Sequence, residues 1–229
     1  MERGFGNLRR AIEGPEEASL VAMPLDKLRG LEATYTRSYP VQLALGRALR
    51  TAGETLQAMQ AFERAAALAP MEGGEGSPHS EMAEMAIEKR DRARAIVELQ
   101  ALVAVDFDNL DAARQLAALL RETGVDDPAR LRAVYQRIVA IDPFDAEAHG
   151  ALGRLALSRN EPESAAREFR TVLALGPVDQ AAAHCDLAES YFRGGRRADA
   201  KKHTLAALEI APTYERAQVL LLALVEERP

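Results

Sequence analysis

Tryptophan is absent from this chain of 229 residues, and all aromatics together make up only 5% of it. The runs of Val, Ile, Thr and aromatic residues that strands require are missing as well. A β-sandwich or barrel is therefore excluded at the level of composition. Cysteine occurs once, at Cys185, which rules out an internal disulfide and a cysteine-rich zinc module. No apolar run approaches the length of a membrane span. Positive charge is in deficit: the net charge is −6 and the isoelectric point about 5.4. A general nucleic-acid binder is more often basic. The first residues, Met1-Glu2-Arg3-Gly4-Phe5-Gly6, lack the basic start and apolar stretch of a signal peptide. A cytoplasmic location is expected if Met1 is the native start, and a periplasmic or extracytoplasmic one if the chain is part of a larger protein.

What the chain has instead is alanine and leucine in a recurring pattern. Leu45-Gly46, Ala58, Phe62, Ala65 and Pro70 return as Leu152-Gly153, Ala165, Phe169, Val172 and Pro177. They return again as Leu187-Ala188, Ala200, Thr204, Ala207 and Pro212. The period is about 34 residues, which marks stacked supersecondary units rather than one closed core. With Gly46 set at position 8, the first clear repeat starts at Tyr39. A first helix is expected over Tyr39 to Thr51, a turn at Gly53, and a second helix from Thr55 to Ala69 that Pro70 stops. Residues 39–212 divide into five such hairpins, and a final helix within 213–229 covers the open end. Ser77 and Asp145 read as N-caps. Residues 1–38 are irregular and helical, either a degenerate earlier unit or the edge of an upstream domain.

The two helices of such a hairpin cross closely only where side chains are small. Gly46, Ala83, Ala117, Gly153 and Ala188 serve this on the first helix; Ala58, Ala95, Ala165 and Ala200 face them from the second. The bulky Phe62, Leu99, Tyr135 and Phe169 fill the wedge toward the next unit.

This pattern resembles the tetratricopeptide repeat (TPR) over residues 39–212. The family's bulky residue at position 4 is missing, and Phe107 stands where one closing proline should be. The resemblance implies an all-α, right-handed superhelical solenoid whose first helices line a concave groove. A weaker likeness rests on Ile141-Asp142-Pro143-Phe144-Asp145, Gly176-Pro177-Val178-Asp179 and Ala211-Pro212-Thr213-Tyr214-Glu215-Arg216-Ala217. These resemble TPR tails found behind bacterial zinc-peptidase-like domains, which would make the chain a non-catalytic tail that positions or regulates an enzyme domain.

Catalytic and metal chemistry find little support. No H-E-x-x-H pair occurs. His79, His149 and His184 share position 4 on successive or near-successive units, too far apart for one ion. His203 is expected to be exposed on a second helix. His184-Cys185-Asp186 cannot act as a triad, because consecutive helical residues point in different directions. No catalytic residue, cofactor or metal is expected. The resemblance places ligand contacts on the first helices, at Arg47, Arg50, Glu84, Ile87, Arg114, Arg121, Arg154, Leu157, Glu189 and Phe192, with Leu43, Glu88 and Arg193 beside them. Arginines in that groove could pair bidentately with carboxylates of a partner peptide, or only solvate the groove and pair with its own glutamates. The expectation is a protein-interaction scaffold for a peptide or helix of acidic character, with no nucleic acid and no membrane insertion. The family's carboxylate clamp needs Lys and Asn where Leu43 and Arg47 stand, so chaperone-tail binding is not expected.

Overall fold

The computed structural model describes residue 15 and residues 17–124 and 127–226; the expectations for the first fourteen residues lie outside it. Among the described residues there are thirteen helices and no strand. They are α1 (Glu17–Leu20), α2 (Leu25–Thr34), α3 (Tyr39–Thr51), α4 (Thr55–Leu68), α5 (Pro78–Glu88), α6 (Arg92–Val105) and α7 (Leu110–Glu122). There follow α8 (Pro128–Ile141), α9 (Ala146–Ser158), α10 (Pro162–Ala174), α11 (Gln180–Arg193), α12 (Arg197–Ile210) and α13 (Glu215–Glu226). The chain forms two compact units, Met1–Leu119 and Leu120–Pro229, each taken by itself below.

In the first unit α3 packs on α4 and α5 on α6, with α4 joining the two hairpins. Val41, Leu45, Leu49, Ala58, Phe62 and Met82 form its core, and Leu20 and Leu28 from α1 and α2 complete it. Counted back along the repeat, α2 falls in the register of a second helix, with Leu28 where Phe62 stands in the next unit. In the second unit α9 packs on α10 and α11 on α12, and α13 lies against both α11 and α12. Phe169, Leu187, Tyr191 and Leu224 are among its core residues.

Size complementarity sets how closely each hairpin closes. A Cβ at Gly46 would lie 2.6 Å from the Phe62 ring, and one at Gly153 would lie 2.6 Å from the Phe169 ring. In two of the repeats that carry alanine at position 8 the opposing residue is smaller: Ala83 with Leu99, Ala188 with Thr204, all four buried. The missing bulk at position 4 is replaced by polar bonding. Gln42 Nε2 donates to the Thr36 carbonyl at 3.2 Å, and Gln218 Nε2 to the Pro212 carbonyl at 2.8 Å. His149 Nε2 meets the Pro143 carbonyl at 3.1 Å in the same way. Each ties the start of a first helix to the turn six residues before it, a turn whose carbonyl would otherwise lack a donor. Gln218 gives α13 the same bond that opens α3 and α9, so the terminal helix is built as another first helix.

Helix starts follow the expected caps. Ser77 Oγ accepts from the Ser80 amide at 3.4 Å, and Asp145 Oδ1 from the Ala148 amide at 2.8 Å. Each first helix ends at one fixed point, position 15, where φ is positive: Gly53 at 79°, Gly124 at 57° and Gly195 at 73°, but also Arg90 at 59° and Asn160 at 58°. The following amide then bonds back across the turn, as Asp91 does to the Ala86 carbonyl at 2.8 Å. Asparagine tolerates this left-handed conformation; a long branched cation does so at a steric cost of about 1–2 kcal/mol. Replacing Arg90 with glycine should therefore raise stability by about 0.5–1 kcal/mol once glycine's own chain entropy is deducted. Asn160→Gly should give less. Urea denaturation midpoints of the two variants test that order.

Candidate functional site

Six of the residues read as groove-lining border an open hollow, Glu84, Ile87 and Glu88 in the first unit and Glu189, Phe192 and Arg193 in the second. In the first unit the hollow lies between α5 and α7, about 430 Å³, with Ile87, Ala118 and Leu119 against Glu84, Glu88 and Gln115. In the second it lies between α11 and α13, about 480 Å³, with Phe192, Val219 and Leu220 against Glu189, Arg193 and Arg216. Glu84, Ile87 and Glu88 hold the same repeat positions as Glu189, Phe192 and Arg193.

Of the two fates open to the groove arginines, several take the second and pair with glutamates of their own or neighbouring helices. Arg50 Nη1 donates to Glu81 at 2.7 Å and to Glu84 at 2.9 Å, while its Nη2 reaches Glu88 at 2.6 Å. Burial alone would lower the Arg50 pKa, but these three carboxylates carry it above the ordinary arginine value. Arg47 pairs with Glu81 at 3.0 Å and donates to the Gly76 carbonyl at 2.6 Å. Both arginines of the first repeat are thus held by the first helix of the second. In the second unit Arg121 donates to Glu147 at 2.9 Å, Arg193 to Glu189 at 2.5 Å, and Arg216 to Asp186 at 2.7 Å. Arg114 is exposed and also engaged. Arg154 is the exception: exposed on α9, it has no hydrogen bond or ion pair among the described residues.

Two expected apolar contacts are not at the surface. Leu43 is 2% exposed and belongs to the first unit's core. Leu157 is 9% exposed within the second unit's core, and only its carbonyl is used, accepting from Arg193 at 3.3 Å. Both sit on first helices, but their side chains point into the helix-pair interior. Cys185, by contrast, borders the α11–α13 hollow although it is buried, and that burial pushes its thiol pKa up. A raised thiol pKa makes it a poor nucleophile at neutral pH. No group of three or more His, Cys, Asp or Glu side chains among the described residues could hold a metal ion.

The histidines form a series across their own hairpins. His79 Nδ1 lies 2.7 Å from Glu98 Oε2, and His149 Nδ1 lies 2.7 Å from Glu168 Oε2. The equivalent partner of His184 is His203, with Nδ1 atoms 2.9 Å apart and the rings stacked at 5.2 Å. His203 is accordingly half-buried rather than exposed. His184, Cys185 and Asp186 point to His203, the hollow and Arg216 respectively, so they form no triad.

An array of antiparallel helix hairpins with small residues at each crossing defines a helical-repeat protein. Its fold is that of the tetratricopeptide-repeat proteins, as solved structures show. A MamA protein matches at a TM-score of 0.51 with 20% identity, covering 77% of this chain and 95% of that one. YrrB, described as a TPR protein with an unusual peptide-binding site, matches at 0.54 with 16% identity, covering 85% and 97%. No family model matches the chain, and no curated protein does.

Proposed function

We propose that this chain is a non-catalytic protein-interaction scaffold that receives a peptide or helix of a partner along its first helices. The observation that carries the reading is the repetition of one site in two units. Positions held by Glu84, Ile87 and Glu88 border the α5–α7 hollow, and the same positions border the α11–α13 hollow as Glu189, Phe192 and Arg193. Each hollow joins apolar side chains to charged ones, as an interface core meets its rim. The second helices offer the contrast, since their inner faces are consumed by hairpin packing. The peptide-binding description of YrrB agrees with this reading.

A photo-crosslinking amino acid placed at Ile87 or Phe192, in the cells that make the protein, should capture a partner. The same group at Arg167, exposed on the second helix α10, should capture none. Capture at Arg167 alone would overturn the assignment.

A further inference from the structure

Next to the apolar α5–α7 hollow lies a second one, about 350 Å³, that shares Glu84 and Gln115 with it. Its lining is mainly polar: Ser80, Asn109 and Gln115 with the carboxylates of Glu75, Glu84 and Asp111, beside the apolar Ala83, Leu99 and Leu102. No lysine or arginine lines either hollow. Arg50 touches the pair from outside, on Glu84 and Glu88, and these two carboxylates remain more than half exposed. Arg50 offsets one of these charges, and the four lining carboxylates Glu75, Glu84, Glu88 and Asp111 outnumber it, so the pair of hollows keeps a net negative charge. The adjacency has a plain chemical meaning. One hollow suits a branched aliphatic side chain. The other suits a side chain with an apolar stem and a cationic head, the stem on Leu99 and Leu102 and the head among carboxylates.

We infer that the α5–α7 face binds a peptide segment in which an aliphatic residue stands beside a lysine or arginine. This rests on the first-helix reading above and gives the partner a charge opposite to the one the arginines of the sequence suggest. Charge complementarity decides the occupant: an acidic segment would place its carboxylates against Glu75, Glu84 and Asp111, and juxtaposed like charges reject a wrong partner.

Fluorescence anisotropy on the full chain provides the test, using labelled decapeptides identical except for a central Leu-Lys, Leu-Glu or Ala-Lys. The Leu-Lys peptide should bind saturably, and the other two about ten-fold more weakly or worse. Ala118→Trp, which fills the apolar hollow, should weaken Leu-Lys binding. Asp111→Lys, at an exposed position, should weaken it and narrow the gap to Leu-Glu. Circular dichroism would confirm that both variants keep their helices. If Leu-Lys and Leu-Glu bind equally and both respond to Ala118→Trp, the charge inference fails while the first-helix reading survives. If no peptide binds, or binding ignores Ala118→Trp, this site is wrong. Crosslinking at Phe192 in the separate second unit would then still report on the broader reading.

Discussion

Gly153→Ala is expected to destabilise the chain by about 1–3 kcal/mol, and Gly153→Leu by more. Helix propensity alone predicts the reverse sign, because alanine is favoured over glycine in a helix interior by about 1 kcal/mol. Packing decides it. The new methyl would sit 2.6 Å from the Phe169 ring, and Phe169 is only 1% exposed. The ring cannot swing away into solvent, so the hairpin α9–α10 must open or the ring must leave its rotamer. Gly30 supplies the control. It lies within α2, and a Cβ there would meet nothing within 4 Å. Gly30→Ala should therefore gain about 0.5–1 kcal/mol. The double variant Gly153→Ala with Phe169→Leu recreates the pairing that Ala83 and Leu99 already use. It should recover a large part of the loss, with a coupling that additive sites would not show. Denaturant midpoints for the wild type, Gly153→Ala, Phe169→Leu and their double variant measure this coupling, with Gly30→Ala beside them as the control. A neutral Gly153→Ala would mean that the two helices do not cross where the glycine stands.

The same glycine marks how far the sequence could be read. Recurrence of Gly46 and Gly153 with Phe62 and Phe169 located the hairpin crossings, because a helix pair has few ways to bury a large ring against a bare backbone. The helix ends were legible at Gly53 and Gly195 for the same kind of reason. They were not legible at Arg90 and Asn160, where the left-handed turn is imposed by the fold on residues that do not advertise it. A strict count to position 15 would have found them.

Side-chain availability was harder to read than backbone register. Arg50 and Glu81 are on different helices of different repeats, and nothing in their spacing states that one guanidinium will satisfy three carboxylates. The sequence leaves two fates open for the groove arginines, a partner's carboxylates or the groove's own glutamates, because spacing within one helix does not say which side chains meet across repeats. Once successive helices are placed side by side, Glu81, Glu84 and Glu88 neutralise the arginines of the preceding repeat. Leu157 shows the limit from another direction. Its repeat position matches that of Ile87 and Phe192, yet it is buried while Ile87 is 40% exposed. Exposure depends on which neighbours fill the adjoining space, and that is a property of packing rather than of period. Arg154 is exposed on α9, and its charge acts on the Tyr135 hydroxyl.

Acidification should weaken the hairpin α11–α12, whose cross-helix pair joins two imidazoles. Burial lowers the pKa of both His184 and His203, and for His203 the neighbouring His184 and Lys202 act in the same direction while Asp199 opposes them. Tyr191, whose ring centroid lies 5.7 Å from that of His203, adds no negative charge. One neutral ring can donate its Nδ1 proton to the other across 2.9 Å, but two protonated rings have no acceptor between them. The sign follows from linkage. Above the ordinary histidine pKa, about 6.5, both states are neutral and the pair has its full effect. As the pH falls through that value the unfolded chain takes up protons that the folded pair refuses, and stability is lost. The slope cannot exceed about 1.4 kcal/mol per pH unit for each proton refused, and it will be shallower here because the rings keep some solvent contact. His203→Glu rebuilds the pairing of His79 with Glu98 and of His149 with Glu168, in which an imidazole nitrogen meets a carboxylate oxygen. In that variant the acid loss contributed by this hairpin should vanish or change sign, with little effect at pH 8. Because the rest of the chain titrates identically in both proteins, the quantity to compare is the change in denaturation midpoint between pH 8 and pH 5.5, wild type against His203→Glu. Equal changes would show that the two imidazoles do not form the contact. A smaller change in the variant would fix the acid-sensitive point of the array at a single pair of side chains.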